Sequence, residues 1–223
     1  MTMQITLNNW DAVREWVDSL PICIAPSYLA ESSDAMYPSD AFSLGQLASK
    51  AWLLKELYPI ATHPIQDWVI LGSWIGTLVP FLHKKFIINR IYGLDADPLA
   101  VELSEHFNRQ YVENSWKFKG VVADVSTLYT CDMEFFTGGE LIQTKPGVVI
   151  NTSCEHMDTQ WFDSASNDQL IVMQTNNNSK FDGHINVCDS IMQMVERYPM
   201  DTVLFKGELV MPSYTRYMQI GYK

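Results

Sequence analysis

Paired cysteines, a surplus of positive charge and a long apolar run are all missing from this chain. Its four cysteines, Cys23, Cys131, Cys154 and Cys188, lie far apart, with no C-x-x-C pair and no histidine at zinc-finger spacing. That excludes a zinc finger and a disulfide framework; no metal is expected, and reduced thiols in a cytoplasm fit best. Lys and Arg number 15 against 26 Asp and Glu, a formal charge of −11. Such a field repels phosphate backbones, so nucleic acid is not expected as a partner. The nearest basic patch, His83-Lys84-Lys85 with Arg90, is short and reads as a solvated helix end. The longest uncharged apolar stretch, Trp68 to Leu82, falls short of a membrane span and contains Gly72, Gly76 and Pro80, so a buried strand, turn and helix explain it better. The first residues carry neither the basic region nor the apolar core of a secretion signal. A cytoplasmic protein is expected, in which the sequons at Asn151 and Asn177 carry no meaning.

What is present is a globular balance: 47% apolar and 18% charged residues in a chain of 223. This is enough for one α/β domain with an extension. Trp10, Val13, Trp16, Val17 and Leu20 share one helical face, and Pro21 ends the run. A loop from Pro21 to Ser39 then leads to a second helix from about Ala41 to Leu57. Residues 1–65 are therefore expected to form a helical cap. From residue 66 strands alternate with helices: strands at Asp67–Gly72, Arg90–Asp95, Lys117–Asp124, Val148–Ser153, Leu170–Gln174 and Thr202–Leu209, with helices through Leu82 to Phe86, Pro98–Tyr111 and Val187–Tyr198. A last strand, Thr215–Tyr222, lies close enough to its predecessor to be antiparallel to it. The pattern predicts a mostly parallel, seven-stranded sheet over residues 66–223 that closes in an antiparallel hairpin.

In open α/β sheets ligands bind beyond the carboxyl ends of the strands. The first strand ends in Gly72-Ser73-Trp74-Ile75-Gly76, where glycines permit a tight turn and close approach of a ligand to the backbone. The second ends in Asp95, near the offset at which a carboxylate accepts hydrogen bonds from ribose hydroxyls, while Asp97-Pro98 is the pair that looks like a helix cap. The third ends in Ala123-Asp124-Val125, where a carboxylate suits an exocyclic amine. Together these residues describe an adenosine site.

The order Leu71-Gly72, Gly76, Leu94-Asp95, Ala123-Asp124 and a fourth strand ending in Asn151, followed by a hairpin, resembles the class I S-adenosylmethionine-dependent methyltransferases over residues 66–223. The resemblance implies a Rossmann-like fold with S-adenosylmethionine as cofactor. By it, Gly72, Ser73, Trp74 and Gly76 line the methionine part, Asp95 holds the ribose, Asp124 and Val125 flank adenine, Ala96 is a further cofactor contact, and Asn151 faces the reaction. Two positions depart from the family pattern. Ile70 stands where an acid is common, and Trp74 where a further glycine is common. The methionine ammonium then needs another acceptor, for which Glu155, Asp40 and Gln46 are candidates. More narrowly, Gly45-Gln-Leu-Ala-Ser49-Lys50-Ala-Trp52-Leu, Asn151-Thr-Ser-Cys-Glu-His156 and Tyr214-Thr-Arg-Tyr-Met218 resemble an uncharacterised bacterial and phage branch of this superfamily, which brings no known reaction.

Asn151-Thr-Ser-Cys-Glu-His156 is a polar run in an apolar strand region, where the transferred methyl should lie. Glu155 and His156 are the base candidates, since an acceptor must lose a proton as it attacks; the alternative is that they cap the following helix. Cys154 as a nucleophile is set aside, because nothing in the sequence lowers its pKa. Lys50 lies one helical turn after Gln46, so both can face one ligand carboxylate, or Lys50 is simply a solvated side chain. Tyr37, Asn176, His184 and Tyr214 are the candidates around a small-molecule acceptor. The leading expectation is methyl transfer to a small metabolite. Attack on the methionine chain with release of methylthioadenosine, a nicotinamide-dependent dehydrogenase and a catalytically silent binding module are the alternatives.

Overall fold

Burial explains why the apolar runs become strands. In Asp67–Leu71 all four residues after Asp67 are buried, and in Leu170–Asn176 all seven are, as in strands covered on both faces. A computed structural model describes residues 3–6, 38–62, 66–113, 116–137 and 139–223. In chain order the strands are β1 (Met3–Thr6), β2 (Asp67–Leu71), β3 (Arg90–Asp95), β4 (Phe118–Val122), β5 (Met133–Thr137), β6 (Glu140–Thr144), β7 (Val148–Asn151), β8 (Leu170–Asn176), β9 (Thr202–Val210) and β10 (Thr215–Tyr222). The helices are α1 (Pro38–Ala41), α2 (Leu44–Leu57), α3 (Val79–Lys85), α4 (Pro98–Phe107), α5 (Arg109–Glu113), α6 (Gln160–Asp163) and α7 (Ile191–Arg197).

The main sheet has the order β1-β9-β10-β8-β7-β2-β3-β4. β10 runs antiparallel to both β8 and β9, and the remaining pairs are parallel. All seven expected strands form. The chain leaves β2 toward β3 and β4 on one side, and later fills β7 and β8 on the other. The order thus reverses beside β2, which opens a crevice at the carboxyl ends there. One core cluster joins α2 and α3 to one face of the sheet, through Trp52, Leu53, Leu57, Phe81 and Leu82 among others. The other face is covered by α6 and α7 and by the β5–β6 hairpin, with Trp161, Phe162, Met194, Tyr198 and Phe135 in the cluster. Burying each large side chain of this kind contributes about 1.5–3 kcal/mol, so the two faces hold the sheet's carboxyl edge in place.

Three features depart from the sequence expectations. β1 adds an eighth strand at the edge, pairing parallel with β9 from Met3↔Gly207 to Thr6↔Val210. Four residues are too few for a period to register, and this strand owes its form to pairing with a distant edge. The β5–β6 hairpin was not expected; its weak alternation, with Met133 and Phe135 buried and Phe136 exposed, becomes meaningful only against Tyr92. The expected helix Pro98–Tyr111 breaks at Asn108, whose side-chain Nδ2 donates to the Gly76 and Ser104 carbonyls. The helix expected at Trp10–Leu20 and the loop after it as far as Tyr37 lie outside the described residues, and the last two expected loop residues, Pro38 and Ser39, open α1. Among the described residues no helix is long and apolar enough to cross a membrane.

Candidate active site

A cavity of about 530 Å³ opens at the carboxyl ends of β2, β3, β4 and β7, with α1, α2 and β10 contributing to its wall. A second cavity, near Asp67, Asn89 and Gly147, lies at the opposite, amino end of the strands. The carboxyl end is where the sheet places ligands, and there the chemistry-bearing residues converge.

The loop after β2 turns through three positive φ angles: Gly72 at 61°, Trp74 at 48° and Gly76 at 69°. Only glycine adopts this region without cost, and an L-residue pays about 1–2 kcal/mol. Trp74 is held there by its own amide, which donates to Asp95 Oδ2 at 2.8 Å, while Ser73 N donates to Leu94 O at 2.8 Å. Trp74 thus adopts, at a cost, a backbone conformation that glycine would take freely. Gly76 is fixed for a different reason: a Cβ there would lie 2.6 Å from Asn108 Nδ2. It is buried beneath the loop and does not line the cavity, whereas Gly72, Ser73 and Trp74 do. Ser73 Oγ is buried with no hydrogen-bond partner among the described residues.

Asp95 lines the cavity with Ala96 beside it. Its Oδ2 accepts from Trp74 N and its Oδ1 from Asp97 N at 3.1 Å, which leaves acceptor capacity on both oxygens. Asp97 is the cap of α4, accepting from Leu99 N at 2.9 Å, as the sequence indicated. Asp124 and Val125 line the same wall, beyond β4. The Ser126 hydroxyl and then its amide bond Asp124 Oδ1, at 2.7 and 3.0 Å, and hold this exposed carboxyl below its ordinary range.

From the other side come Gln46 and Lys50 of α2. Lys50 Nζ donates to Gln46 Oε1 at 2.9 Å, so the two face one place as their spacing suggested. Lys50 is not a solvated side chain: it is buried, and its pKa falls to about 7, first through burial, then through the Arg216 charge, with Asp40 partly opposing. Arg216 was not singled out from the sequence. It is buried on β10, lines the cavity, donates from a terminal guanidinium nitrogen to Thr152 O at 3.3 Å, and has an unpartnered Nε among the described residues. Its signal was an arginine inside an apolar strand, which periodicity alone counts as a strand residue like any other.

The turn after β7 is built by Asn151, whose Oδ1 accepts from Ser153 N at 2.9 Å and whose Nδ2 lies 3.0 Å from Met157 Sδ. Asn151 is fully buried and outside the cavity lining, so it shapes the turn from beneath. Cys154 is also fully buried, and burial pushes its thiol well above its ordinary pKa, the wrong direction for a nucleophile. Glu155 and His156 both reach the cavity wall, the first buried and the second exposed. They do not cap α6, which begins at Gln160. Asn176 is buried behind them and donates to Glu155 Oε1 at 2.5 Å. His184 is outside the lining, with its ring 4.5 Å from that of His156. Tyr214 is also outside it and packs against the α2 side of the core, with the Arg216 guanidinium 5.9 Å above its ring. Tyr37 lies outside the described residues.

No protein-family model matches the chain, and no curated protein matches it in sequence. Solved structures match in fold. The N-methyltransferase NodS from Bradyrhizobium japonicum WM9, in complex with S-adenosyl-L-homocysteine, aligns at a TM-score of 0.60 and 10% identity, over 88% of this chain and 98% of that one. The magnesium protoporphyrin IX methyltransferase ChlM from Synechocystis PCC 6803, with the same product bound, aligns at 0.60 and 11% identity, over 96% and 100%. The cyclase SpnF aligns at 0.55 and 10% identity, over 73% and 61%. With its strand order and the antiparallel β10 between β8 and β9, the chain has the Rossmann-like α/β fold of the class I S-adenosylmethionine-dependent methyltransferases.

Proposed function

We propose that this protein is a methyltransferase that takes S-adenosylmethionine as methyl donor and a small molecule as acceptor. The observation that carries the reading is the gathering, around one cavity of about 530 Å³, of groups that complement every part of that donor. The volume is that of an ordinary cofactor site. Asp95 offers two oxygens with spare acceptor capacity to a ribose diol. Asp124, Val125 and Ala96 form the adenine side. Lys50 and Arg216, two buried cations, hold the methionine carboxylate, and Asp40 supplies the acceptor for the ammonium that an acid at position 70 would otherwise give. The donor, when bound, supplies an electrophilic methyl on a sulfonium. The chain's task is to orient the acceptor in line with it and to ease the loss of the acceptor's proton, and Glu155 and His156 are the groups placed for that.

Of the expected cap, α1 and α2 close over the site in this reading, since they bring Asp40, Gln46 and Lys50 to it, whereas β1 belongs to the sheet. The small cavity and the acidic chain favour a metabolite over nucleic acid. Three unpaired cysteines among the described residues suit a reducing cytoplasm.

The test is mass spectrometry of nucleoside products after incubation with S-adenosylmethionine and a small-metabolite extract, with Asp95→Ala as control. S-adenosylhomocysteine formed only with extract, and lost in the variant, supports methyl transfer. Methylthioadenosine instead would support attack on the methionine chain. The loop bearing Trp74, whose side chain departs from the glycine common at that place, keeps that second reading in view. Absence of both products and of binding would refute the reading.

A further inference from the structure

The turn after β7 and the loop after β8 bring together three side chains that sequence spacing does not pair. One ligand atom each from Glu155, His156 and His184 lie within 4.8 Å of one another. The two imidazoles meet edge to face, 4.5 Å between centroids. Glu155 is 3% exposed; Asn176 Nδ2 donates to its Oε1, but its Oε2 is sealed from solvent with no hydrogen-bond partner among the described residues. An acceptor buried without a donor is costly, and a carboxylate more so, which asks for a cation.

The surroundings are arranged as around a ligand set. His184 Nδ1 lies 2.5 Å from Asn178 O. A carbonyl only accepts, so Nδ1 carries a proton and Nε2 is the nitrogen left for a ligand, the arrangement that metal-binding histidines adopt through the same contact. The two segments are also locked to each other. Ile185 N and Asn186 N both donate to Glu155 O, at 2.9 and 3.0 Å, and Asn186 Nδ2 donates to Met157 O at 2.9 Å.

We propose that Glu155, His156 and His184 bind a divalent transition-metal ion at the rim of the cavity. Two imidazoles and one carboxylate form the ligand set of open zinc and non-haem iron sites, which keep positions for a substrate or water. Ligands about 2.1 Å from one ion stand at most about 4.2 Å apart, so small rotamer changes close the present spacing. The expectation of no metal considered cysteines and zinc-finger spacing, and this set uses neither. Its role rests on the methyl-transfer reading: an acceptor hydroxyl that ligates the ion has its pKa lowered and loses its proton to water, so His156 acts as a ligand and not as a base.

The experiment titrates tag-free, chelator-dialysed protein with Co²⁺, followed by visible absorption and calorimetry, and measures S-adenosylhomocysteine binding in the same samples. One Co²⁺ per chain is expected, weakened at least tenfold in His184→Ala and in His156→Ala, the first half-buried and the second exposed, and both checked for folding by circular dichroism. Glu196→Gln, on the exposed side of α7, should bind as the parent does. No saturable binding, or binding that survives both histidine substitutions, overturns the site. Nucleoside binding without cobalt binding would remove the metal and leave the methyl-transfer reading; cobalt binding without nucleoside binding would do the reverse.

Discussion

Asp95→Asn is the substitution that separates the loop's architecture from its chemistry. Asp95 accepts two backbone amides on two different oxygens, Trp74 N on Oδ2 and Asp97 N on Oδ1. Asparagine has one acceptor oxygen, so whichever way its amide turns, one of these N–H groups meets another donor. A hydrogen bond to a charged group contributes about 1.5–3 kcal/mol; with Asp95 half-buried, water replaces part of it and the lower end applies. Losing the bond to Trp74 also releases the residue held at a φ of 48°, whose strain of about 1–2 kcal/mol then favours an open loop. A loss of about 1.5–2.5 kcal/mol should lower Tm by roughly 3–10 °C in a chain of this size. The assay is thermal unfolding of four proteins: parent, Asp95→Asn, Trp74→Gly and the double variant. Glycine accepts the positive φ without a clamp, so Asp95→Asn should cost at least about 0.5 kcal/mol less in the Trp74→Gly background. Equal costs in both backgrounds would refute the claim that Asp95 holds Trp74 in its strained conformation.

Lys50 makes stability pH-dependent in a defined direction. Its folded pKa of about 7 lies below the unfolded value of 10.5, so between these the unfolded chain binds the extra proton and stability rises with pH. Lys50→Met should flatten that rise and stabilise the free protein at pH 7 by more than about 1 kcal/mol in denaturant titrations, while weakening S-adenosylhomocysteine binding. In the parent, binding above pH 7 should take up a proton, visible as a buffer-dependent calorimetric enthalpy. Gly76→Ala should cost about 2–3 kcal/mol by the same unfolding assay, since it combines a φ of 69° with a Cβ 2.6 Å from Asn108 Nδ2. Native Cys154 should resist iodoacetamide at pH 7.5 and react on unfolding, because burial both hides its thiol and raises its pKa; rapid labelling of the Cys154 peptide in the folded protein, read by mass spectrometry apart from the partly exposed Cys131, would contradict this.

The strands, their mostly parallel arrangement and the place of Asp95 on the cavity wall were legible because they are local: apolar runs with glycine or aspartate at their ends repeat what each element needs. The proximity of Lys50 and Gln46 was legible for the same reason, being one turn of helix. Where two segments meet, legibility stopped. Asn151 and Asn176 read as site residues because they are polar at strand ends, yet both are buried supports, one shaping the turn and the other holding Glu155. The β5–β6 hairpin has alternation too weak to register until it packs on Tyr92.

The sequence by itself determined seven strands of the sheet and the end of it at which the cavity opens, since side-chain period and turn residues act over a few neighbouring positions. Only the tertiary structure decided which charges face each other. Arg216 reaches the cavity because β10 lies beside β8, and His184 meets Glu155 and His156 because two backbone amides after it bond the Glu155 carbonyl. Those encounters depend on long-range pairing, which no local pattern of residues encodes.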